Sequence, residues 1–201
     1  MAVTNDQITW HRLLKLMAPF HDAAVQTARR LGRSVDDGDD LFQEALLRAF
    51  EKLHTLREEP RFRSWFYAVL LSVHRNRCRR HFWRRFLSLD GEREKGFDPK
   101  GMDAREQTED RRGAERASRA LAGLPPVQRE ALILFELDGF SIEEIADLQD
   151  CTISAVKSRL ARGRERLRQH YRKVHRHEGF SSSGSGESLD APEPVPAGRR
   201  S

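Results

Sequence analysis

Between Leu124 and Arg168 the chain reads LPPVQREALILFELDGFSIEEIADLQDCTISAVKSRLARGRERLR, and no other stretch constrains the fold as tightly. Pro125 and Pro126 pre-set φ for a helix start, and Gly139 closes that helix after Asp138. Ser141 caps a second helix, with Glu144 three residues on to complete a capping box. Its buried face is Ile142, Ile145, Ala146 and Leu148. Asp150 and Cys151 make a tight turn, and Thr152 caps a third helix with apolar Ile153, Val156, Leu160 and Leu167. Two short helices joined by a tight turn, the second carrying Lys157, Arg159, Arg162 and Arg164, read as a helix-turn-helix with its DNA-reading helix last. The plainer alternative is a basic, solvated helix on an ordinary bundle.

The 201 residues suit one large or two small domains. The net charge of +5 favours an anionic partner, and its unevenness says more than its total. Basic residues gather in 57–85 and 157–176, acidic ones in 36–40 and 106–110. Cys78 and Cys151 are far apart in helical contexts, so a disulfide framework is not expected and a reducing compartment fits. The first residues lack a basic-then-apolar signal pattern, and no apolar run reaches spanning length. A cytoplasmic protein without membrane insertion is the expectation.

Trp10, Leu13, Leu14 and Met17 have helical spacing, Pro19 interrupts them, and a second helix runs through Arg30 to Gly32. The carboxylates of 36–40 suit the start of a third helix; their spacing is not that of a calcium loop. Leu41–Leu53 is amphipathic, with Phe42, Leu46, Ala49, Phe50 and Leu53 on one stripe. Leu47 lies on the opposite, polar face with Gln43, Glu44 and Arg48; it is either an ordinary exposed leucine or the anchor of a protein contact. From Arg61 a long helix interleaves Phe62, Trp65 and Phe66 with arginines that have almost no acidic neighbours in sequence. The aromatics are core, or they stack on unpaired bases beside phosphate-binding guanidinium groups. His74, Cys78 and His81 share a face of this helix, as zinc or redox residues or as a half-buried thiol between two polar histidines. With no fourth ligand evident, neither a metal nor a cofactor is expected.

Composition then divides the chain into a helical domain at 1–87, a charged linker at 88–117, the helix-turn-helix domain at 118–177 and a disordered Ser/Gly/Pro-rich tail at 178–201. Within the linker, helix is expected from Ala114 into Leu121. The fold class is all-α, two small helical domains joined by a flexible charged linker.

With both domains in view, the chain resembles bacterial RNA polymerase sigma factors of the extracytoplasmic-function group of the sigma-70 family. Asp39–Phe50 is similar to the family's D-x-x-Q-E-x-F-x-x-A-(W/F) motif of region two, and Phe62-Arg63-Ser64-Trp65-Phe66 to its F-R-x-W-L segment. Leu124–Arg129 fits the L-P-x-x-x-R entry to region four, and Val156–Leu160 matches V-K-S-R-L. The resemblance implies that Asp40, Gln43, Glu44 and Leu47 dock on the clamp helices of the largest subunit of core RNA polymerase. It implies that Arg61, Arg63, Trp65, Ser72, Asn76, Arg79 and Arg80 recognise and melt the promoter −10 element. Ser154, Lys157, Ser158, Arg159, Ala161 and Arg162 take the positions that touch the −35 element. An anti-sigma factor is the further partner implied. Three departures stand out: Ser72 where many relatives carry Asn, Ala155 for a frequent Thr, and Gly163 for a frequent Ala, which costs about 1 kcal/mol of helix propensity.

The rival function is a polymerase-independent helix-turn-helix regulator, which would bind duplex DNA specifically by itself. A nucleic-acid enzyme is not expected, since no acid pair, nucleophile–base pair or phosphate loop is evident.

Overall fold

Apolar residues at every third or fourth position, closed by caps, fold residues 5–87 and 109–181, those described by this computed structural model, into helices joined by short turns. Among them α1 is Asn5–Met17, α2 His21–Leu31, α3 Val35–Lys52, α4 Phe62–Leu87, α5 Glu109–Ala122, α6 Pro126–Glu136, α7 Ile142–Leu148 and α8 Ile153–Ser181. Single 3₁₀ turns fill 18–20, 53–55 and 59–61. No strand occurs among the described residues, and none of their helices is long and apolar enough to cross a membrane.

The sequence signals act as read. Pro125 precedes α6, Gly139 follows it at φ 69°, and Ser141 and Glu144 form the reciprocal capping box of α7. Thr152 Oγ1 accepts from the Ala155 amide at 3.2 Å, starting α8. Ser34 caps α3 by accepting from the Asp37 amide. Two bounds differ from the sequence expectation. Helix α5 starts at Glu109, five residues before Ala114, and α8 continues to Ser181, into the stretch expected as tail. The rest of that tail and residues 88–108 of the linker lie outside the described residues.

In the first helical unit α3 packs between α2 and α4, and α1 leans on α3 through stacked rings of Trp10 and Phe50 at 4.6 Å. Phe62 and Phe66 are buried with Leu41, Phe42, Ala45 and Leu70, while Trp65 is half-buried at the edge. In the second unit α6 and α7 pack on α8. The two units also meet each other: α2 lies against α5 and α6, and α4 against α6 and α7.

Two glycines set how closely these helices approach. A Cβ on Gly38 would lie 2.3 Å from the Cα of Arg29, so the α2–α3 crossing admits no side chain there. A Cβ on Gly163 would lie 2.7 Å from Cδ1 of buried Leu132. The residue that weakens α8 by propensity is therefore what lets α6 pack against it. Gly113 in α5 has nothing within 4 Å of its Cβ position. Gly38→Ala is expected to lower stability by about 1–3 kcal/mol. Gly113→Ala should raise it by about 0.5–1 kcal/mol, since only the backbone entropy of the helix changes. Urea denaturation of the two variants checks the contrast.

Candidate functional site

Three surfaces and one buried seam hold the residues with chemistry to offer. The outer face of α3 carries Asp40, Gln43, Glu44 and Leu47 at helical spacing. Asp40 and Gln43 are exposed, and Leu47 is 56% exposed within this polar face. Glu44 is held in place, accepting from Arg77 Nε at 2.9 Å and from Arg48 Nη2 at 3.4 Å. Asp39 turns the other way to a forked pair with Arg29 at 2.6 and 3.1 Å, and the hydrogen bonds from that guanidinium hold its carboxyl below the usual range.

On α4, Trp65 and Ser72 line a cavity of about 470 Å³ together with Ala68 and Val69. Arg48, Lys52, His54 and Thr55, from the end of α3 and the turn after it, form the opposite wall. Sequence reasoning did not assign these four residues to the site. Their only signal was a basic run following an amphipathic helix. Arg61, paired with Glu58 at 3.1 Å, and Asn76, Arg79 and Arg80 extend the same side of α4 in both directions. Arg63 does not join them. With 3.6 residues per turn it falls nearly opposite Trp65. Its guanidinium donates to the carbonyl of Asp138 and lies 4.2 Å over the ring of Phe140.

On α8, Ser154, Lys157, Ala161 and Arg162 are exposed and Ser158 is half-buried. Arg159 turns inward instead, donating from Nη1 to Gln149 Oε1 at 2.8 Å, with Cys151 Sγ at 2.9 Å. It braces the turn between α7 and α8.

The seam between the two units is centred on Glu130 of α6, which is 0% exposed. Its carboxylate accepts from His74 Nδ1 at 2.8 Å, Arg75 Nε at 3.2 Å and Gln149 Nε2 at 3.2 Å. Arg75 also donates to the Leu148 carbonyl. On its other side, His74 Nε2 is 3.4 Å from Cys78 Sγ and 3.3 Å from Arg129 Nη2. Burial works to lower the His74 pKa, but the contacts with Cys78 and Glu130 outweigh it and push the ring up to about 9. Burial lowers the pKa of Arg129. At the other end of the seam Asp138 meets Thr27 at 2.8 Å and Tyr67 Oη at 3.3 Å. Burial raises both acids there, Tyr67 to about 12. Thr27 Oγ1 also lies 2.9 Å from the Ala23 carbonyl, and one hydroxyl proton cannot serve both acceptors.

Two of the arginines of α4 thus have acidic partners supplied by other helices: Asp37 and Glu44 for Arg77, Glu130 for Arg75. His74 and Cys78 were legible as a shared helix face, but the acid that bonds His74, Glu130, lies 56 residues away and had no local signal. No group of three or more His, Cys, Asp or Glu among the described residues is placed to hold a metal ion.

Comparison with known proteins gives a consistent family. Residues 16–84 match the model for Sigma-70 region 2, and residues 114–167 that for Sigma-70, region 4. The ECF RNA polymerase sigma factor EcfG of Rhodopseudomonas palustris is 33% identical over 150 residues, covering 72% of this chain and 79% of the relative. The ECF RNA polymerase sigma-E factor of Escherichia coli K12 is 29% identical over 160 residues, with 71% and 78% covered. Among solved structures, the sigma factor RpoE in complex with the anti-sigma factor NepR from Bartonella quintana aligns with a TM-score of 0.64 at 26% identity, covering 81% of this chain and 96% of that one. CnrH in complex with the cytosolic domain of CnrY shares the fold, with a TM-score of 0.55 at 21% identity.

The seam has a pH signature. A histidine raised from 6.5 to about 9 contributes stability that is complete below about pH 6.5 and lost as pH rises through about 9. His74 faces Glu130 and Arg129 from α6, Gln149 beyond α7, and Arg75 and Cys78 on its own helix. The two units should separate progressively across that window. Small-angle scattering at fixed salt checks it, and a radius of gyration that stays constant across the window contradicts it.

Proposed function

We propose that this chain, which belongs to the extracytoplasmic-function group of the sigma-70 family, binds core RNA polymerase and directs transcription initiation at promoters with defined −35 and −10 elements. The observation that carries this is the presence on one chain of two different basic readers. One is a helix-turn-helix whose α8 leaves Lys157, Ala161 and Arg162 exposed. The other is a groove floored by Trp65 and Ser72 and rimmed by Arg48, Lys52 and His54.

Each reader suits a different form of DNA. A helix with exposed basic residues enters the major groove of a duplex, where Lys157 and Arg162 meet phosphates and base edges. A half-open groove with an aromatic wall and a hydroxyl accepts a single base taken out of the stack, and its basic rim holds the strand. Unstacking costs a few kcal/mol, which capture of the base offsets. Promoter opening on these terms needs no covalent chemistry from the chain. Asp40, Gln43, Glu44 and Leu47 form the contact with the clamp helices, which gives the exposed Leu47 an apolar seat on the partner. Docking on polymerase makes two weak DNA contacts act together through effective concentration.

Arg63 and Arg159 take indirect parts. Arg159 positions α8 rather than reading DNA. Arg63 joins the −10 set only when Asp138 and Phe140 are withdrawn, so promoter opening and the closed seam exclude each other at this residue. Because RpoE of Bartonella quintana is held by an anti-sigma factor, a protein of that kind is the regulator to expect for this chain.

Run-off transcription with core polymerase tests the reading; a chain that binds promoter duplex specifically without polymerase favours an independent regulator instead. Lys157→Ala or Arg162→Ala should weaken −35-dependent promoters about tenfold, each losing roughly 1–3 kcal/mol of contact, and leave core binding intact. Leu47→Asp should abolish association with core polymerase in gel filtration while leaving the fold unchanged.

A further inference from the structure

We propose that Cys78 is a peroxide-reactive thiol, activated by a Cys78–His74–Glu130 relay that exists only while the two helical units are packed together. Sγ of Cys78 is 3.4 Å from Nε2 of His74, and Nδ1 of the same ring is 2.8 Å from Oε1 of Glu130. Nucleophile, imidazole and orienting carboxylate stand in hydrogen-bonding sequence, the arrangement by which proteins activate thiols and hydroxyls. Two members come from α4 and the third from α6, so separating the units dismantles the relay.

The thiol is also reachable. Cys78 is half-buried and lines a cleft of about 690 Å³ between the units, with His74, His81, Arg77 and Arg129 among its walls. Arg129 supplies an independent sign that this cleft awaits an acceptor. It is only 5% exposed, its Nη2 lies 3.3 Å from His74 Nε2, and its buried Nε has no hydrogen-bond partner. Buried donors of this kind are seldom left unmatched. Cys151, in contrast, sits beside Arg159 at 2.9 Å with no imidazole among its hydrogen-bond contacts.

The chemistry balances with hydrogen peroxide as oxidant. Sγ attacks one peroxide oxygen, an S–O bond forms and the O–O bond breaks, oxidising the sulfur by two electrons. The proton shared by Sγ and Nε2 goes to the departing oxygen, which leaves as water, and the product is a sulfenic acid. Arg129 faces the charge that develops on the leaving oxygen. The oxygen then carried by Cys78 is an acceptor in the cleft that Arg129 lines, so oxidation ties α4 more firmly to α6.

The test uses the full chain, reduced, treated with hydrogen peroxide in the presence of dimedone and followed by peptide mass mapping. Cys78 should be labelled about tenfold faster in the native chain than in the same chain unfolded in urea at equal pH, and faster than native Cys151. Glu130→Gln should bring the Cys78 rate down towards the unfolded rate and leave Cys151 unchanged. If that variant does not fold, the native-against-unfolded comparison decides alone. Peroxide should also raise the melting temperature of the unsubstituted chain and not that of Cys78→Ser. A native Cys78 that reacts no faster than the unfolded one, or a Glu130→Gln chain that folds and reacts at the full rate, overturns the relay. A melting temperature that falls on oxidation overturns the tightening of the seam.

Discussion

A single buried carboxylate organises the relation between the two halves of this protein. Glu130 lies on the helix that also supplies Ala131, Leu132, Ile133 and Leu134 to the core, and it has no exposed surface. An unpaired carboxylate there would cost several kcal/mol, so it requires cationic partners. The second helical unit provides Gln149, but the basic groups that bond directly to the carboxylate, His74 and Arg75, come from α4 in the first. The two units are therefore mutually completing when closed. A buried ion pair is a weak source of net stability but a strict specifier of geometry. That combination suits a seam that closes in one register.

Helix α4 is the element that this seam shares with the candidate DNA surface. One side of it presents Trp65 and Ser72 to a basic groove. The other buries Tyr67 and His74 and sends Arg63 and Arg75 across to the second unit. A helix used on both sides has little freedom to bend or rotate, and its aromatic packing against Phe20 and Phe42 fixes it further. Whatever shifts the seam acts directly on the helix that carries the groove. The seam and the candidate DNA groove thus share one helix, with no intervening element between them.

Close helix approach is the second constraint, and it falls on glycines. Gly38 lets α3 cross α2 against the backbone of Arg29, and the neighbouring Asp39 pairs with that same arginine. The acidic run at 36–40 thus serves three purposes at once: helix start, crossing point and ion pair. Gly163 does the same for α8 over Leu132, at the expense of helix propensity.

Much of this was legible in the sequence because it depends on neighbours in the chain. Caps, turns and amphipathic stripes are local, so the helix-turn-helix of 124–168, the buried faces of α3 and α4 and the exposure of Leu47 could be read from spacing alone. The inward turn of Arg63 was partly legible too, since helical period places it opposite Trp65. Other features had no local signal. The acids that pair with His74, Arg75 and Arg77 arrive from α3 and α6, up to 56 positions away, and a charge search along one helix cannot see them. Glu130 carried no local signal, and Gly163 looked like a flaw, because their reasons lie on another helix. The sequence by itself determined which segments are helical and which faces are apolar, through local propensity and period. Only the tertiary structure decided which charges meet, which arginines stay exposed and which acid completes the His74–Cys78 pair, because those depend on how helices distant in sequence are brought side by side.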